Sequence, residues 1–109
     1  MNPAHGMPAP DLARVRREAL RWLILLTLNN ARPLGCAEGP ILSVAQTQYP
    51  DASPLELRRE IDYLADRELV HVHKSPYGAW HAELTRHGVD VAEYTVDVQP
   101  GIARPVKYW

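Results

Sequence analysis

Two adjacent arginines, Arg58 and Arg59, lie in the front half of a segment with strong helix signals. A guanidinium is well suited to grip a guanine edge or a backbone phosphate, because it donates several hydrogen bonds from one plane. Two carboxylates, Asp62 and Asp66, follow further along. This order, with positive charges near the start and negative charges behind them, suits a helix that inserts its amino-terminal end into the major groove of DNA. The alternative is a set of solvated surface charges, with Asp62 paired to the arginines along the helix.

The segment that carries these residues, 53–69, has a well specified start. Ser53 and Glu56 have the spacing of a capping box, and Pro54 fills the first helical position, where its missing N–H costs nothing. Apolar residues at helical spacing predict one buried stripe, formed by Leu57, Ile61 and Leu64. The residues of this helix predicted to meet DNA are Ser53, Leu55, Arg58 and Arg59.

Further basic residues lie before and after this helix. A first helix, predicted from the N-cap Asp11 to about Asn30, has a basic front. Its Arg14 and Arg17 would hold phosphates that flank the groove; alternatively, they belong to a basic face that pairs with acids of a partner. Lys74 and Tyr77 lie at the tip of a predicted hairpin, where they would contact a phosphate or the minor groove.

The same local signals predict the other elements. Period-two alternation indicates strands, and the sequence Ser-Pro-Tyr-Gly between them has the residue types of a type I turn. Two X-Pro steps and a glycine predict that the last stretch is extended. The remaining predicted elements are helices over 38–48 and from Thr85 to about 93, strands over 70–74 and 79–84, and an extended arm over 95–109.

The back half of the first helix is apolar nearly all round, which indicates burial from more than one direction. A small domain supplies one burying surface, so we expect a second copy of the chain to supply the other. The residues predicted to form this dimer interface are Leu20, Ile24 and Leu28 of the helix and Ile102, Tyr108 and Trp109 of the arm. The arm could instead lie along DNA through its basic residues.

Composition limits these interpretations. The chain has 109 residues, 46% of them hydrophobic, and a formal net charge of −1. One compact domain over residues 11–94 is expected, preceded by a Pro- and Gly-containing segment, 1–10, that we expect to be disordered. Because phosphate contacts dominate DNA affinity, a nearly neutral chain must concentrate its basic surface in a local patch.

Several other kinds of site are not indicated. The single cysteine, Cys36, excludes an internal disulfide and a Cys-based metal cage. His71, His73 and His81 on the hairpin offer a zinc-responsive alternative, but no carboxylate or cysteine is clearly placed with them. Without a phosphate loop, Ser-centred elbow or paired acidic site, we predict neither enzyme activity nor a cofactor. The lack of a secretory signal or a span-length apolar run predicts a cytoplasmic protein that does not enter the membrane.

The order of helix, helix, turn, capped helix and hairpin resembles the winged helix-turn-helix superfamily, a mainly α fold with a small β-hairpin wing. The resemblance covers about 12–93, with Leu69-Val70 entering the first wing strand and Leu84-Thr85 leaving the second. The end of the chain is similar to a small winged-helix family of Mu-like bacteriophages and prophages. The residues that carry this second resemblance are Leu84, Thr85, Gly88, Asp90, Val91, Ala92, Pro100, Gly101, Ile102, Arg104 and Pro105. It implies a phage origin, a bacterial host cell and a DNA-related role.

These observations predict a phage-encoded transcriptional regulator that binds duplex DNA in a sequence-specific way. Acting as a homodimer, it would present two such helices to half-sites about one helical turn apart. The alternative is an adaptor in phage assembly or DNA packaging that uses the same domain to bind a protein. The acidic balance and the aromatic arm favour the adaptor, whereas the front of the helix at residues 53–69 favours DNA.

Overall fold

The computed structural model describes residues 9–107, which form four helices and three short strands. The helices are α1 (Leu12–Asn30), α2 (Glu38–Gln48), α3 (Pro54–Asp66) and α4 (Arg86–Ala92), and the strands are β1 (Cys36–Ala37), β2 (Val70–Lys74) and β3 (Trp80–Leu84). The expected α+β class, with a β-hairpin after the third helix, is confirmed. Within the described range, no helix is both long and apolar enough to cross a membrane.

Three helices begin at the side-chain caps that the sequence predicts. Asp11 accepts a hydrogen bond from the Arg14 amide, and Thr85 accepts one from Gly88, each at 3.0 Å. Ser53 accepts one from the Glu56 amide at 3.2 Å. The reciprocal half of the predicted capping box is not made, because the Glu56 carboxylate binds Arg16 of α1 through two bonds of 2.7 Å. A long-range ion pair therefore takes the place of the local hydrogen bond.

The three strands form one antiparallel sheet in the order β1-β3-β2. The predicted hairpin is present, although β3 begins at Trp80 and not at Ala79. Strand β1 was not predicted, since two residues cannot display a period-two pattern. It adds to the free edge of β3, with Cys36 opposite Ala82 and Ala37 opposite His81.

The core lies between α1, α3 and the sheet, and it corrects the predicted dimer interface. Leu20, Ile24 and Leu28 of α1 are at most 1% exposed, and Ile102 of the arm is 6% exposed, within this single chain. Their partners are the apolar stripe of α3 and other parts of the same chain. Side chains already buried this way have no surface to offer to a second copy. The exposed large apolar residues of α1 are on its other stripe, at Leu12, Val15 and Leu26.

The second burying surface of α1 comes from the chain that follows α4. This stretch has no regular structure, as predicted, but it folds back along α1. The Arg21 guanidinium donates to the Gly101 carbonyl at 2.9 Å, and the Ala103 amide donates to the Glu18 carbonyl at 3.1 Å. Arg104 donates to two carbonyls beside α4. The predicted boundary near residue 94 therefore separates two parts of one packed unit.

The start of the described chain and the returning arm meet at the first turns of α1. Pro10, Asp11 and Val15 line a shallow surface groove together with Ala103 of the returning arm. The predictions for Tyr108 and Trp109, and for most of the segment 1–10, concern residues outside the described range.

Candidate nucleic-acid interface

The outward side of α3 carries the residues that the sequence analysis singled out. Leu55 is 62% exposed and Arg59 is also exposed, whereas the buried side of the helix faces α1 and the sheet. Ser53 lies at the exposed start of the helix, although its hydroxyl is already used as the cap. Tyr77, at the tip of the β2–β3 hairpin, is 98% exposed.

Arg58 does not project freely from α3. Its Nε donates to Glu38 Oε2 at 2.7 Å, and its Nη2 donates to Glu38 Oε1. Glu38 lies at the start of α2 and also accepts the Trp80 amide at 3.0 Å. The hydrogen bonds from Arg58 hold the pKa of Glu38 below its usual value, against the effect of burial, and the bond from Trp80 adds to this. The same pair raises the pKa of Arg58.

This arrangement makes Arg58 a connecting residue. It links α3 to the start of α2, and through Glu38 to the start of β3, while its guanidinium carbon lies 4.9 Å from the centre of the Trp80 ring. A bidentate arginine–carboxylate pair has two aligned donors and two acceptors, so little of the guanidinium remains for a base edge. The structure therefore gives Arg58 a mainly structural position, which differs from the predicted role as a leading DNA contact.

Lys74, at the end of β2, bonds across to α3. Its Nζ lies 2.9 Å from Asp62 Oδ1 and 4.5 Å from the centre of the Trp80 ring. Both members of the ion pair are about half exposed, at 50% for Lys74 and 45% for Asp62. Asp62 thus pairs with the hairpin, and not with Arg58 or Arg59 along its own helix. As a result, α3 and the hairpin present one continuous surface.

Two of the cations predicted to contact DNA, Arg17 and Arg59, are exposed and take part in no ion pair with the described residues. Their guanidinium groups are therefore available to bind a phosphate. Arg14 differs, since its Nε lies 2.7 Å from Glu18 Oε2 one turn along α1, and this carboxylate raises the pKa of Arg14. Such a pair is exposed and weak, so Arg14 can exchange partners.

The surface formed by α3 and the hairpin is balanced in charge. Its cations are Arg58, Arg59 and Lys74; Asp62 and Asp66 are its accessible acids, and the nearly buried Glu38 neutralises Arg58. Because DNA affinity grows with the number of phosphates that a protein neutralises, this balance limits non-specific attraction. The exposed Leu55 and Tyr77 add apolar surface at either end of the same region.

The residues that sequence reasoning missed are acids. Glu38 and Glu60 are 9% and 4% exposed, and each bonds an arginine distant in the sequence. Glu60 falls on the buried side of α3 next to Ile61, and a charged residue at such a position is the one signal that could have revealed a partner. Glu38 resembles an ordinary first-turn acid, and no local signal identifies it.

The hairpin histidines lie on a separate part of the sheet. His73 stands opposite His81, with ring centroids 6.1 Å apart, while His71 stands opposite Glu83. Over residues 9–107, no three His, Cys, Asp or Glu side chains come together as they would to hold a metal ion.

No family model matches the chain, and neither a curated protein nor a solved structure matches it. The observations that bear on function are therefore the arrangement of α3 and the hairpin and the charges that they expose.

Proposed function

We propose that the chain is a winged-helix domain that binds duplex DNA, with α3 as the recognition helix and the β2–β3 hairpin as the wing. The order of the elements supports this interpretation, since α1, β1, α2, α3 and the hairpin follow one another as in winged-helix domains. The position of the hairpin supports it as well, because strand β2 packs against α3, the helix that would enter the groove.

The observation that carries the proposal is the ion pair between Lys74 and Asp62, 2.9 Å long. It aligns the hairpin with the outward side of α3, so that one surface offers a helix for the major groove and a strand end for the adjacent backbone. Contacts to backbone phosphates fix the position of a recognition helix in the major groove, and this surface could make both kinds of contact from two elements.

Within this proposal, the residues have different roles. Arg59 is the leading candidate for a base or phosphate contact, because it is exposed and unpaired among the described side chains. Arg17 and Arg14 on α1 would hold flanking phosphates, and Tyr77 would meet the backbone beside the hairpin tip. Arg58 would act indirectly, by fixing α3 against α2. The proposal requires no catalytic group and no cofactor.

We further propose a regulatory role in a phage-infected bacterial cell, with two copies of the domain on two half-sites. A dimer would have to use exposed residues, since the four described positions first assigned to it are buried in the core. Occupation of a DNA site is sufficient for regulation and needs no chemical reaction.

The test is binding of the purified chain to a short, labelled, random-sequence duplex at about 50 mM and about 150 mM salt. We expect binding that weakens steeply with salt, and we expect Arg59→Ala to lower the slope of log affinity against log salt by about 1. Arg32→Ala is the matched control, because it removes a half-exposed arginine that follows α1 and pairs with Glu93, beyond α4. Equal losses for both variants would remove Arg59 from the interface.

A second candidate is a protein-binding adaptor in phage assembly or DNA packaging. The charge balance of the α3–hairpin surface favours it, as do the exposed Leu55 and Tyr77. Aromatic and apolar side chains on a neutral surface are typical of protein interfaces. A folded chain that fails to bind DNA at about 50 mM salt would favour this candidate over the first.

A further inference from the structure

The ammonium group of Lys74 lies close to both the Trp80 ring and the Asp62 carboxylate. We propose that the place occupied by the Asp62 carboxylate beside Lys74 is a site for a backbone phosphate of duplex DNA, and that Asp62 stands in for this phosphate in the free protein. The inference rests on the proposed DNA-binding function and adds to it a specific ligand group and a competing residue.

The geometry holds the ammonium group in place before any ligand arrives. Lys74 and Trp80 are direct partners in the hairpin register, so their side chains emerge side by side from neighbouring strands. The Lys74 Nζ lies 4.5 Å from the Trp80 ring centre, and the Arg58 guanidinium lies near the same ring at 4.9 Å. A cation over an aromatic face is attracted to it and loses rotational freedom. The positive charge is therefore positioned at the junction of α3 and the hairpin.

The two acids near Trp80 differ in how easily they can leave. Glu38 has a side chain only 12% exposed and is held by Arg58 and by the Trp80 amide. Asp62 is 45% exposed, and its ion pair with Lys74 is the contact that the structure gives it. Exposed pairs of this kind contribute little to stability, because both groups are well solvated when apart. An incoming anion can thus displace Asp62 but not Glu38.

A phosphate diester matches the anion that Lys74 now binds. Its unesterified oxygens accept hydrogen bonds from an ammonium group, as a carboxylate does, and Lys binds either one as a point charge. Asp62 opposes such a ligand twice, because it competes for Lys74 and because its negative charge repels a nearby phosphate. Removing the charge of Asp62 should therefore strengthen DNA binding more than removing a charge elsewhere on α3.

The experiment compares Asp62→Asn with Asp66→Asn, which makes the same change of charge one turn along α3 at an exposed residue for which the structure gives no ion pair. Affinity for a labelled random-sequence duplex is measured at several salt concentrations. We expect Asp62→Asn to raise affinity about tenfold at low salt and to steepen the salt dependence by about one phosphate contact. Asp66→Asn should give a smaller rise without a steeper slope.

A double-mutant cycle assigns the effect to Lys74. Lys74→Met keeps the aliphatic stem beside Trp80 and removes the charge, and in this background Asp62→Asn should lose most of its advantage over Asp66→Asn. Equal gains for the two Asn variants, or an advantage of Asp62→Asn over Asp66→Asn that survives in Lys74→Met, would overturn the inference while leaving DNA binding intact. Absence of DNA binding by every folded variant would overturn the proposed function, and the inference with it.

Discussion

Arg21 of α1 and Glu60 of α3 form an ion pair in the interior of the domain, with Arg21 Nε 2.8 Å from Glu60 Oε1. The side chains are only 12% and 5% exposed. The Arg21 guanidinium also donates to the Gly101 carbonyl and stacks on the Tyr63 ring, with its carbon 3.4 Å from the ring centre. One buried cation thus joins two helices and the returning arm.

Breaking this pair from one side should destabilise the fold. We expect Glu60→Ala to lower the free energy of unfolding by about 3–5 kcal/mol, because it leaves the Arg21 charge buried without its partner. Urea denaturation measures the change. Glu18→Ala, which removes the partner of Arg14 at the exposed end of α1, is the control and should leave the midpoint nearly unchanged. Similar midpoints for both variants would contradict the assigned role of Glu60.

The arm should depend on the absence of a side chain at Gly101. Its φ of +101° disfavours any L residue, and a Cβ built there would lie 2.2 Å from the Tyr63 hydroxyl oxygen. We expect Gly101→Ala to lower the thermal midpoint and to increase proteolysis near the arm, because the arm can no longer pack closely against α1 and α3. Gly39→Ala is the control, since that Cβ would meet no atom within 4 Å and helix α2 should gain stability. A neutral Gly101→Ala would show that the arm does not need this contact.

Glu38 should make the stability of the domain fall in acid. A carboxyl whose pKa is lowered by folding stabilises the folded state above its unfolded pKa, and this contribution is lost as the pH falls through the folded value. We therefore expect unfolding to become easier below about pH 4, and Glu38→Gln to reduce this dependence. Thermal melts across this pH range test it, with the exposed Asp97→Asn as the control. Parallel pH profiles for Glu38→Gln and the wild type would be the contrary result.

Ile24 should behave as a core residue of one chain. We expect Ile24→Ala to cost about 2–5 kcal/mol through the cavity it leaves, without changing how the thermal midpoint depends on protein concentration. Val15→Ala, on the exposed stripe of α1, should have little effect on the fold. If Ile24→Ala changed the oligomeric state and not the stability, the original assignment of this stripe to a dimer interface would be restored.

Local features of the sequence were sufficient to predict most of the elements. Ser53 and Thr85 cap their helices through bonds to amides three residues ahead, and such bonds depend on neighbours alone. The face assignment on α1 was harder, since this helix has two apolar stripes and only the tertiary packing decides which one is buried. The returning arm covers part of α1, and nothing in its composition indicates where it lies.

The partners of the charged residues could not be predicted in the same way. Arg58 and Glu38 are 20 positions apart, and Arg16 and Glu56 are 40 apart. At these separations, the packing of α2 and α1 against α3 sets the distance, and no spacing rule applies. The residues of the candidate site on α3 and the hairpin could therefore be named from the sequence, whereas the pairing of Arg58 with Glu38 could not.

The groove that Pro10 and Ala103 share joins the start of α1 to the returning arm, and no residue of α3 or the hairpin lines it. A substitution in this groove would therefore act on the arm and leave the α3–hairpin surface intact. The stability of the fold and the binding properties of that surface could in this way be varied separately.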